Sequence, residues 1–513
     1  MATRSLIGTE ARFTARARVS ALPADRCRPP LSLFEELSRR PGTRGASLME
    51  SAAKGKKAGT RSLVVPEGVV RLQVRGEEAS YRALQPGARP LLEALADFRA
   101  VEARDPGLTD EERLCSPSVL DAVRALAGLV QDEENVFGPA PGVYGAFSYE
   151  LVDRWEDLPP RRPDPWHEPD IDVVLALDTI LYDHLAGEVR VVTRSVSSSD
   201  ERAADERHRT YLRSLQTPHR EEKCILTVLD KDARPDVTDD EFLDSVRKFL
   251  RHIERGDIFQ GVLSRRLAIR SPADSLAVYR ELRRENPSPY MFHVDLGEGV
   301  LLGSSPETCL KVEGTTLEIR PIAGTAPRGF TADGAIDPEL DSRLAIGLLL
   351  DPKEQAEHAM LVDLARNDVS RVSIPGTRRI EEPFTIEKYS HVQHLVSAVV
   401  GELRPGLDAL HAYRAAANMG TLTGAPKLRA MELIRETEPS CRGFYGGAVG
   451  YLLADGTFDS CIVIRSLRSR PAGYETRAGA GIVADSIPER ELQETTHKAR
   501  AVLRAVALAE ASS

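Results

Sequence analysis

The chain has 513 residues, of which 42% are hydrophobic and 28% are charged, and its formal net charge is −10. This composition is typical of a globular protein that is long enough for a large core or several domains. The acidic balance argues against a nucleic-acid partner, because phosphate binding needs a concentrated basic face. No uncharged apolar run reaches the roughly 18 residues that a membrane-spanning helix needs, and the Arg-rich N-terminus lacks the apolar core of a secretory signal.

The first part of the chain is the least patterned. Residues 1–60 are rich in Arg, Ala and Gly, and we predict an N-terminal extension whose Arg-rich stretch, residues 1–40, is disordered. From 61 to 222, apolar alternation predicts strands with helices between them. The end of this region, 195–222, is rich in Ser, Asp, Glu and Arg, which indicates a solvated helix and a linker.

The second half of the chain, from 239 to 510, has clearer signals for the ends of helices and strands. The predicted helices are Asp239–Arg255, Ala273–Glu285, Lys353–Arg371, Ala409–Ala417, Pro426–Glu436 and Pro488–Glu510. The predicted strands are Ile258–Ile269, Tyr290–Val294, Gly299–Gly303, Thr308–Val312, Thr316–Ile319, Gly446–Leu453, Phe458–Arg468 and Tyr474–Ala480. Thr385–Leu403 is predicted to form strand pieces with polar interruptions. Because helices and strands mix without a regular βαβ order, we predict an α+β fold with antiparallel sheets.

The cysteines are scattered and show no C-x-x-C spacing. This pattern predicts reduced thiols in a cytoplasmic protein and neither a disulfide framework nor a zinc site. The six cysteines are Cys27, Cys115, Cys224, Cys309, Cys441 and Cys461.

Two glutamates, Glu357 and Glu494, lie on separate predicted helices and have acidic neighbours. Magnesium is commonly held by one or two protein carboxylates and keeps water and substrate oxygens in the rest of its shell. The pair is therefore a candidate Mg²⁺ site, although the same spacing also suits two solvated helix faces.

Three glycine-rich turns adjoin predicted strands or helices: Pro321–Thr325, Gly420–Lys427 and Ala478–Ile482. Glycine lets the backbone approach a ligand closely, so its amide N–H groups can bind a carboxylate. None of the three has a Walker or dinucleotide-binding pattern, and each is also compatible with an ordinary turn.

Three further side chains are candidates for a site that binds an anion. Arg465 and Lys498 could bind substrate carboxylates, Arg in a bidentate manner, although a surface role is the commoner one for such residues. His394 lies in an apolar predicted strand. It is either a general base or a hydrogen-bonded core residue.

Four segments resemble, in the same order, the signature blocks of the chorismate-utilising enzymes. They are Pro321–Thr325, Leu361–Asp368, Asn418–Lys427 and Gly479–Glu494. The resemblance covers about 239–510, and 61–222 is similar to the weaker N-terminal region of the family. It implies a large two-sheet antiparallel α/β sandwich with a regulatory N-terminal region and a catalytic, chorismate-binding C-terminal region.

Two positions separate the reactions of this family. Members that add water to chorismate resemble one another in carrying a lysine base at the position of Gln260, and the aminodeoxychorismate branch carries a nucleophilic lysine at the position of Ala323. Glutamine cannot deprotonate water and alanine cannot attack a substrate, so the resemblance implies that ammonia attacks C2 directly.

The expected reaction is therefore that of the anthranilate synthase branch. In this lyase reaction, the first committed step of tryptophan biosynthesis, chorismate and ammonia give anthranilate and pyruvate. Aminodeoxyisochorismate and aminodeoxychorismate synthases on the same fold are the alternatives.

Two segments resemble the tryptophan-binding pocket of that branch. Residues 48–51 are similar to its L-L-E-S segment, with Met49 in place of a leucine, and Asn286–Phe292 matches the partner segment. The resemblance implies feedback inhibition by tryptophan. The implied inhibitor contacts are Ser51, Pro289, Tyr290 and Met291.

The resemblance also implies catalytic and binding roles. Glu307 is expected to protonate the leaving C4 hydroxyl, and His394 and Thr421 are expected to serve the elimination of pyruvate. Gln260 is expected to influence the choice of nucleophile, and Glu357 and Glu494 to bind Mg²⁺. The expected substrate-binding residues are Gly324, Thr325, Tyr445, Arg465, Gly479, Ala480, Gly481 and Lys498.

A partner is implied by the nucleophile. Ammonia is scarce near neutral pH, and no cysteine in this chain has a glutaminase-like setting. The family implies a separate glutamine amidotransferase subunit that supplies ammonia, in a heterotetramer. The chain alone is expected to use ammonium salts at high pH.

Overall fold

The computed structural model describes residues 11–52, 60–98, 107–134, 136–219, 232–331, 333–389 and 392–512. The helices are α1 (Pro30–Ser38), α2 (Arg89–Ala94), α3 (Asp110–Cys115), α4 (Leu120–Ala127), α5 (Glu201–Gln216), α6 (Asp239–Glu254), α7 (Ser275–Glu285), α8 (Pro338–Leu350), α9 (Pro352–Ser370), α10 (Ala409–Ala416), α11 (Lys427–Thr437) and α12 (Pro488–Ala511). The strands of the first half are β1 (Phe13–Pro23), β2 (Ser47–Glu50), β3 (Arg61–Val65), β4 (Val70–Arg75), β5 (Glu78–Ala83), β6 (Val130–Asp132), β7 (Gly142–Phe147), β8 (Ile171–Ala176), β9 (Thr179–Asp183) and β10 (Glu188–Ser195). Those of the second half are β11 (Arg234–Pro235), β12 (Gln260–Arg270), β13 (Tyr290–Asp295), β14 (Val300–Ser305), β15 (Thr308–Glu313), β16 (Thr316–Ile319), β17 (Ile322–Pro327), β18 (Arg379–Lys388), β19 (Val392–Glu402), β20 (Gly424–Ala425), β21 (Ala448–Leu453), β22 (Phe458–Ile462), β23 (Ser466–Arg470) and β24 (Gly473–Ile482).

Within the described residues these strands form two sheets. A 13-stranded sheet has the order β11-β12-β24-β23-β14-β13-β2-β3-β9-β10-β1-β6, with β20 beside β12. An 11-stranded sheet has the order β17-β19-β16-β15-β22-β21-β7-β8-β4-β5, with β18 beside β19. The pairings are antiparallel apart from the parallel pair β1–β6, so the predicted α+β fold with two antiparallel sheets is confirmed.

The helices cover the outer faces of the two sheets, and apolar side chains fill the space between them. One large cluster joins α4, α9 and α10 to the 11-stranded sheet, and another joins α1, α5, α7 and α12 to the 13-stranded sheet. Phe292 and Leu301 of one sheet meet Val449 and Cys461 of the other. No helix in the described part of the chain is both long enough and apolar enough to cross a membrane.

The predicted regions 61–222 and 239–510 share both sheets. In the 13-stranded sheet β2, from the first sixty residues, lies between β3 and β13 and so connects the two regions. In the 11-stranded sheet the pairing of β7 with β21 joins them directly. The boundaries at 60, 222 and 239 therefore do not separate one sheet from the other. The division of the chain into regions stays a prediction.

The N-terminal stretch differs from the prediction of disorder. Residues 13–23 form the long strand β1, and residues 30–38 form α1. Arg16 and Arg18, on one face of β1, form ion pairs with Glu201 and Asp205 of α5 at 2.7 and 2.6 Å. The alternating arginines were thus the polar face of a strand, whose acidic partners lie almost 190 residues further along the chain.

The predicted strand Phe458–Arg468 was wrong as a single element. It is interrupted at Arg465, whose φ is +47°, and it becomes β22 in the 11-stranded sheet and β23 in the 13-stranded sheet. Pro306 and Glu307 make a second such crossing, from β14 to β15. Both crossings place candidate site residues where the two sheets meet.

The described cysteines Cys27, Cys115, Cys309, Cys441 and Cys461 are free thiols. Cys224 lies outside the described residues, as does the predicted linker from 220 to 222.

Candidate active site

A cavity of about 720 Å³, here called the main cavity, lies where the chain passes from one sheet to the other. Every predicted catalytic, substrate-binding and metal-binding residue except Ala480 lines it. These lining residues are Gln260, Glu307, Gly324, Thr325, Glu357, His394, Thr421, Tyr445, Arg465, Gly479, Gly481, Glu494 and Lys498.

Ala480 is the exception because successive residues of a strand face opposite sides of a sheet. Gly479 and Gly481 of β24 face the main cavity. The side chain of Ala480 is fully buried on the other side, in a cluster with Phe249 and Ile434. Any contact of Ala480 with a ligand in the main cavity would have to come from its backbone.

The acidic part of the main cavity consists of two pairs of glutamates. Glu354 and Glu357 lie on α9, and Glu491 and Glu494 lie on α12. A spacing of three residues puts each pair on one face of its helix. Burial, Asp351 and Glu494 raise the pKa of Glu354.

The other two shifted carboxyls have the same causes. Burial, then Glu354 and Glu494, raise the pKa of Glu357, and burial and Glu494 raise the pKa of Glu491. A divalent cation would relieve this mutual repulsion, and carboxylate oxygens are the ligands that Mg²⁺ takes. The described His, Cys, Asp and Glu side chains form no preassembled group of three metal ligands.

His394 is held in one orientation on β19. Its Nδ1 lies 3.2 Å from the carbonyl oxygen of Gly324 and 3.0 Å from Oγ1 of Thr325. Because a carbonyl oxygen can only accept, we assign the proton to Nδ1 and the free lone pair to Nε2.

The free nitrogen of His394 is suited to accept a proton. Nε2 is buried and has no hydrogen-bond partner among the described residues. Burial, and to a lesser extent Arg465, lower the pKa of His394 to about 4. The imidazole is therefore neutral near pH 7 and can act as a base towards a ligand in the main cavity.

Glu307 has the opposite protonation state. It is only 6% exposed, and its Oε1 has no hydrogen-bond partner in the described part of the chain. Burial raises the pKa of Glu307 to about 8, although the Thr421 hydroxyl and the charges of Lys498 and Arg465 lower it. A carboxyl with this pKa is mostly protonated near pH 7, so it can donate a proton to a leaving group.

The basic side of the main cavity contains Arg465 and Lys498. Burial lowers the pKa of Arg465, and Glu307 opposes this shift, but a guanidinium remains charged in a protein. Lys498 donates to the carbonyl oxygen of Gly479 at 3.0 Å and lies 2.6 Å from Oε1 of Glu494. It therefore links the basic side of the cavity to its acidic side.

A buried ionic network supports the wall behind Tyr445. Arg442 donates to both carboxylate oxygens of Glu438, at 3.0 and 2.6 Å, and Arg477 donates to the same carboxylate at 3.0 Å. Ser264 on β12 also donates to it at 2.8 Å. Removing one member would leave a buried charge without its partner.

Lys427 and Asp368, from two of the signature segments, form a second buried pair at 2.9 Å. Asp368 is 3% exposed and Lys427 is half-buried, and neither lines the main cavity. The pair ties α11 to α9, so part of what makes these segments recognisable is structural.

Gly479→Ala is expected to raise the KM for the substrate at least about tenfold, since small misplacements in a site have large effects. A Cβ at this position would lie 2.8 Å from the Tyr445 hydroxyl and 2.9 Å from the backbone oxygen of Leu263, which cannot yield. Steady-state kinetics measures the effect. Gly347→Ala on α8 is the matched control, because a Cβ there meets nothing within 4 Å. An unchanged KM in Gly479→Ala would contradict the expected substrate contact.

A second cavity of about 370 Å³, here called the inter-sheet pocket, lies between the two sheets. Met49 and Glu50 of β2 line it. Pro289, Tyr290 and Met291 line it from the start of β13, the strand that pairs with β2. The two segments predicted to form an inhibitor pocket are therefore neighbours in space. Ser51 does not line the pocket; its backbone N–H donates to Oγ of Ser62 at 3.1 Å.

Sequence reasoning did not single out several residues that line the main cavity. They are Asn286, Lys353, Glu354, Glu491 and His497. The spacing of three residues from Glu357 and from Glu494 could have indicated Glu354 and Glu491 as neighbours of the expected metal ligands. Asn286 begins the segment that was predicted to bind the inhibitor, but it lines the main cavity instead.

Comparison with known proteins shows the family of the chain. Residues 85–504 match the family described as chorismate binding enzyme, and the chain belongs to that family. Component 1 of anthranilate synthase from Escherichia coli is 42% identical over 504 residues, which cover 94% of this chain and 95% of the relative. A pyocyanine-specific component 1 from Pseudomonas aeruginosa is 41% identical, with 88% of each chain covered. The chain is thus an enzyme of the anthranilate synthase component 1 type.

Solved structures show the same fold. Anthranilate synthase component I from Streptococcus pneumoniae superposes with a TM-score of 0.72 at 30% identity, covering 87% of this chain and 92% of that one. The menaquinone-specific isochorismate synthase from Escherichia coli has a TM-score of 0.64 at 20% identity, covering 98% and 96%. The second of these likenesses concerns the fold alone.

Proposed function

We propose that the chain converts chorismate and ammonia to anthranilate, pyruvate and water, the first committed step of tryptophan biosynthesis. The observation that carries the proposal is that one cavity contains a protonated carboxyl, Glu307, and a neutral histidine with a free nitrogen, His394. The reaction needs an acid for one leaving group and a base for one C–H bond, and these two residues can supply them.

Arg465 and Lys498 would bind the carboxylates of chorismate, together with the backbone around Gly324 and β24. Mg²⁺ is the proposed cofactor, held by Glu357 and Glu494, and when bound it supplies a Lewis acid and a template for the ring carboxylate. In the chain as described, Lys498 neutralises Glu494. The repulsion among the four glutamates supports a cation at this side of the cavity.

The first step forms a C2–N bond and breaks the C4–O bond. Gln260 is 3% exposed, and its amide oxygen has no partner among the described residues. It can accept a hydrogen bond from ammonia but cannot activate water, and Ala323 in the same wall cannot attack the substrate. Glu307 gives its proton to the C4 oxygen, which leaves as water.

The second step removes the proton at C2 and breaks the C3–O bond of the enolpyruvyl ether. Nε2 of His394 takes the proton, and the Thr421 hydroxyl lines the same cavity. The electron pair of the C–H bond completes the aromatic ring, and the departing enolpyruvate becomes pyruvate. Aromatisation makes this elimination favourable once a base is in position.

The ammonia would come from a glutamine amidotransferase subunit, with the two chains in a cytoplasmic heterotetramer. The name of the relatives, component 1, supports a second component. The inter-sheet pocket would bind tryptophan as a feedback inhibitor. Its contact residues would be Pro289, Tyr290 and Met291 beside Glu50, with Ser51 next to the pocket.

The experiment is product fluorescence from the purified chain with chorismate, Mg²⁺ and an ammonium salt at high pH, with and without tryptophan. We expect anthranilate to appear and tryptophan to suppress it. An aminated product that keeps its enolpyruvyl group would identify an aminodeoxyisochorismate or aminodeoxychorismate synthase. A hydroxylated product would overturn the role of Gln260.

A further inference from the structure

The main cavity and the inter-sheet pocket share one wall, the segment Ser304–Thr308. Pro306 and Glu307 line the main cavity, and Thr308 lines the inter-sheet pocket. The chain leaves the 13-stranded sheet at Ser305 and enters the 11-stranded sheet at Thr308. A single peptide bond therefore separates the candidate acid from the second cavity.

A chain of hydrogen bonds continues from this wall across the inter-sheet pocket. Oγ1 of Thr308 donates to the Tyr290 hydroxyl at 3.2 Å, and that hydroxyl donates to Oδ1 of Asp459 at 3.1 Å. All three residues line the pocket. A ligand that displaces Tyr290 would therefore break the contact of Thr308.

The other side of Glu307 is tied to the same tyrosine. Ser305 is the cross-strand partner of Tyr290 in the β13–β14 pair. Its Oγ accepts a hydrogen bond from the backbone N–H of Glu307 at 3.3 Å. Ser305, two residues before Glu307, thus pairs with Tyr290, and Thr308, the residue after Glu307, donates a hydrogen bond to it.

The strand next to this wall also reaches both cavities. The backbone oxygen of Glu307 accepts from N–H of Ile462 at 3.0 Å. Cys461, the register partner of Thr308, lines the inter-sheet pocket, and Arg465, three residues after Ile462, lines the main cavity. A shift at the pocket would therefore move the acid together with the substrate-binding arginine.

We propose that Thr308 is a positioning residue that transmits occupancy of the inter-sheet pocket to Glu307. With the pocket empty, the Thr308–Tyr290–Asp459 bonds hold the acid in place. When tryptophan binds, it displaces Tyr290, and Glu307 is no longer held in place. This inference rests on the proposed function, because tryptophan must bind in the pocket and Glu307 must act in the main cavity.

The test is Thr308→Val, which removes the hydroxyl and keeps the shape of the side chain. We expect tryptophan to bind this variant with a Kd within about threefold of the wild-type value, while its maximal suppression of kcat falls about tenfold, a typical allosteric coupling. Equilibrium dialysis with labelled tryptophan and anthranilate fluorescence at saturating tryptophan measure the two quantities.

Two further variants serve as controls for Thr308→Val. Thr308→Ser keeps the hydroxyl and should restore suppression. Thr60→Val alters another threonine of the same pocket, outside the shared wall, and should leave suppression as in the wild type. The alkaline limb of the pH profile should move with tryptophan in the wild type and in Thr308→Ser, but not in Thr308→Val.

The possible results distinguish a failure of the role of Thr308 from a failure of the proposed function. Full suppression in Thr308→Val with wild-type affinity overturns the role of Thr308. A wild-type chain that forms anthranilate but does not bind tryptophan overturns the regulatory pocket, and the inference with it. A wild-type chain that forms no anthranilate overturns the proposed function itself.

Discussion

Glu307→Gln is expected to lower kcat for anthranilate formation by about 10²- to 10⁴-fold, the usual contribution of a general acid. The amide keeps the size of the side chain but cannot give a proton to the C4 oxygen. Binding of chorismate should change little, because Arg465 and Lys498 remain. Stopped-flow or steady-state fluorescence measures the rate. Glu313→Gln, at the exposed end of the following strand and outside the main cavity, is the matched control and should retain wild-type kcat.

Glu307 also sets the pH dependence of the rate of anthranilate formation. Burial raises the pKa of Glu307 to about 8, so the acid form is present below that pH and is lost as the pH rises through it. The supply of free ammonia changes in the opposite direction, because ammonium loses its proton as the pH rises. Rates expressed per free ammonia should therefore fall above about pH 8. Rates per free ammonia that keep rising at higher pH would contradict the acid role of Glu307.

His394→Ala is expected to separate the two steps of the reaction. Anthranilate formation should fall by about 10²- to 10⁴-fold, the range expected for loss of a general base. The amination step uses Glu307 and should persist. An aminated intermediate that keeps its enolpyruvyl group should therefore accumulate, and chromatography with mass detection identifies it.

The control for this variant is another buried histidine. Burial also lowers the pKa of His358 to about 4, but its Nε2 lies 2.7 Å from Oγ of Ser397 and it does not line the main cavity. His358→Gln should form anthranilate without accumulating the intermediate. Equal loss of amination and elimination in His394→Ala would show that His394 is not specific to the second step.

Most of the secondary structure of the second half followed from local pattern, whereas α8 and the first fifty residues did not. The predicted helix Asp239–Arg255 has an amphipathic run and a capping box at Thr238 and Glu241, and it is observed as α6. β1 has only one buried residue, Ala15, so its strand character comes from distant ion pairs and pairing with β10. The sequence of β1 alone does not contain that information.

In the candidate site, too, some features could be predicted from the sequence and others depended on the fold. Local chemistry identified glycines, glutamates and basic residues, and the resemblance assigned them to one site. The break at Arg465 was missed because the apolar run Cys461–Ile464 continues the strand pattern up to it. The left-handed backbone at Arg465 is required only where the chain changes sheets. Ala480 was included because its neighbours are glycines, but the alternation of β24 turns its side chain away.

Most helices and strands, the glycines that allow close approach and the kinds of side chain available could be read from the sequence, since these depend on residues that are neighbours in the chain. Only the tertiary structure decided that Glu307 is protonated while His394 is neutral, that four glutamates from two helices repel one another, and that one short segment separates two cavities. The physical reason is that burial and charge act through space. The groups that shift a pKa or form a wall come from strands and helices that lie far apart in the sequence.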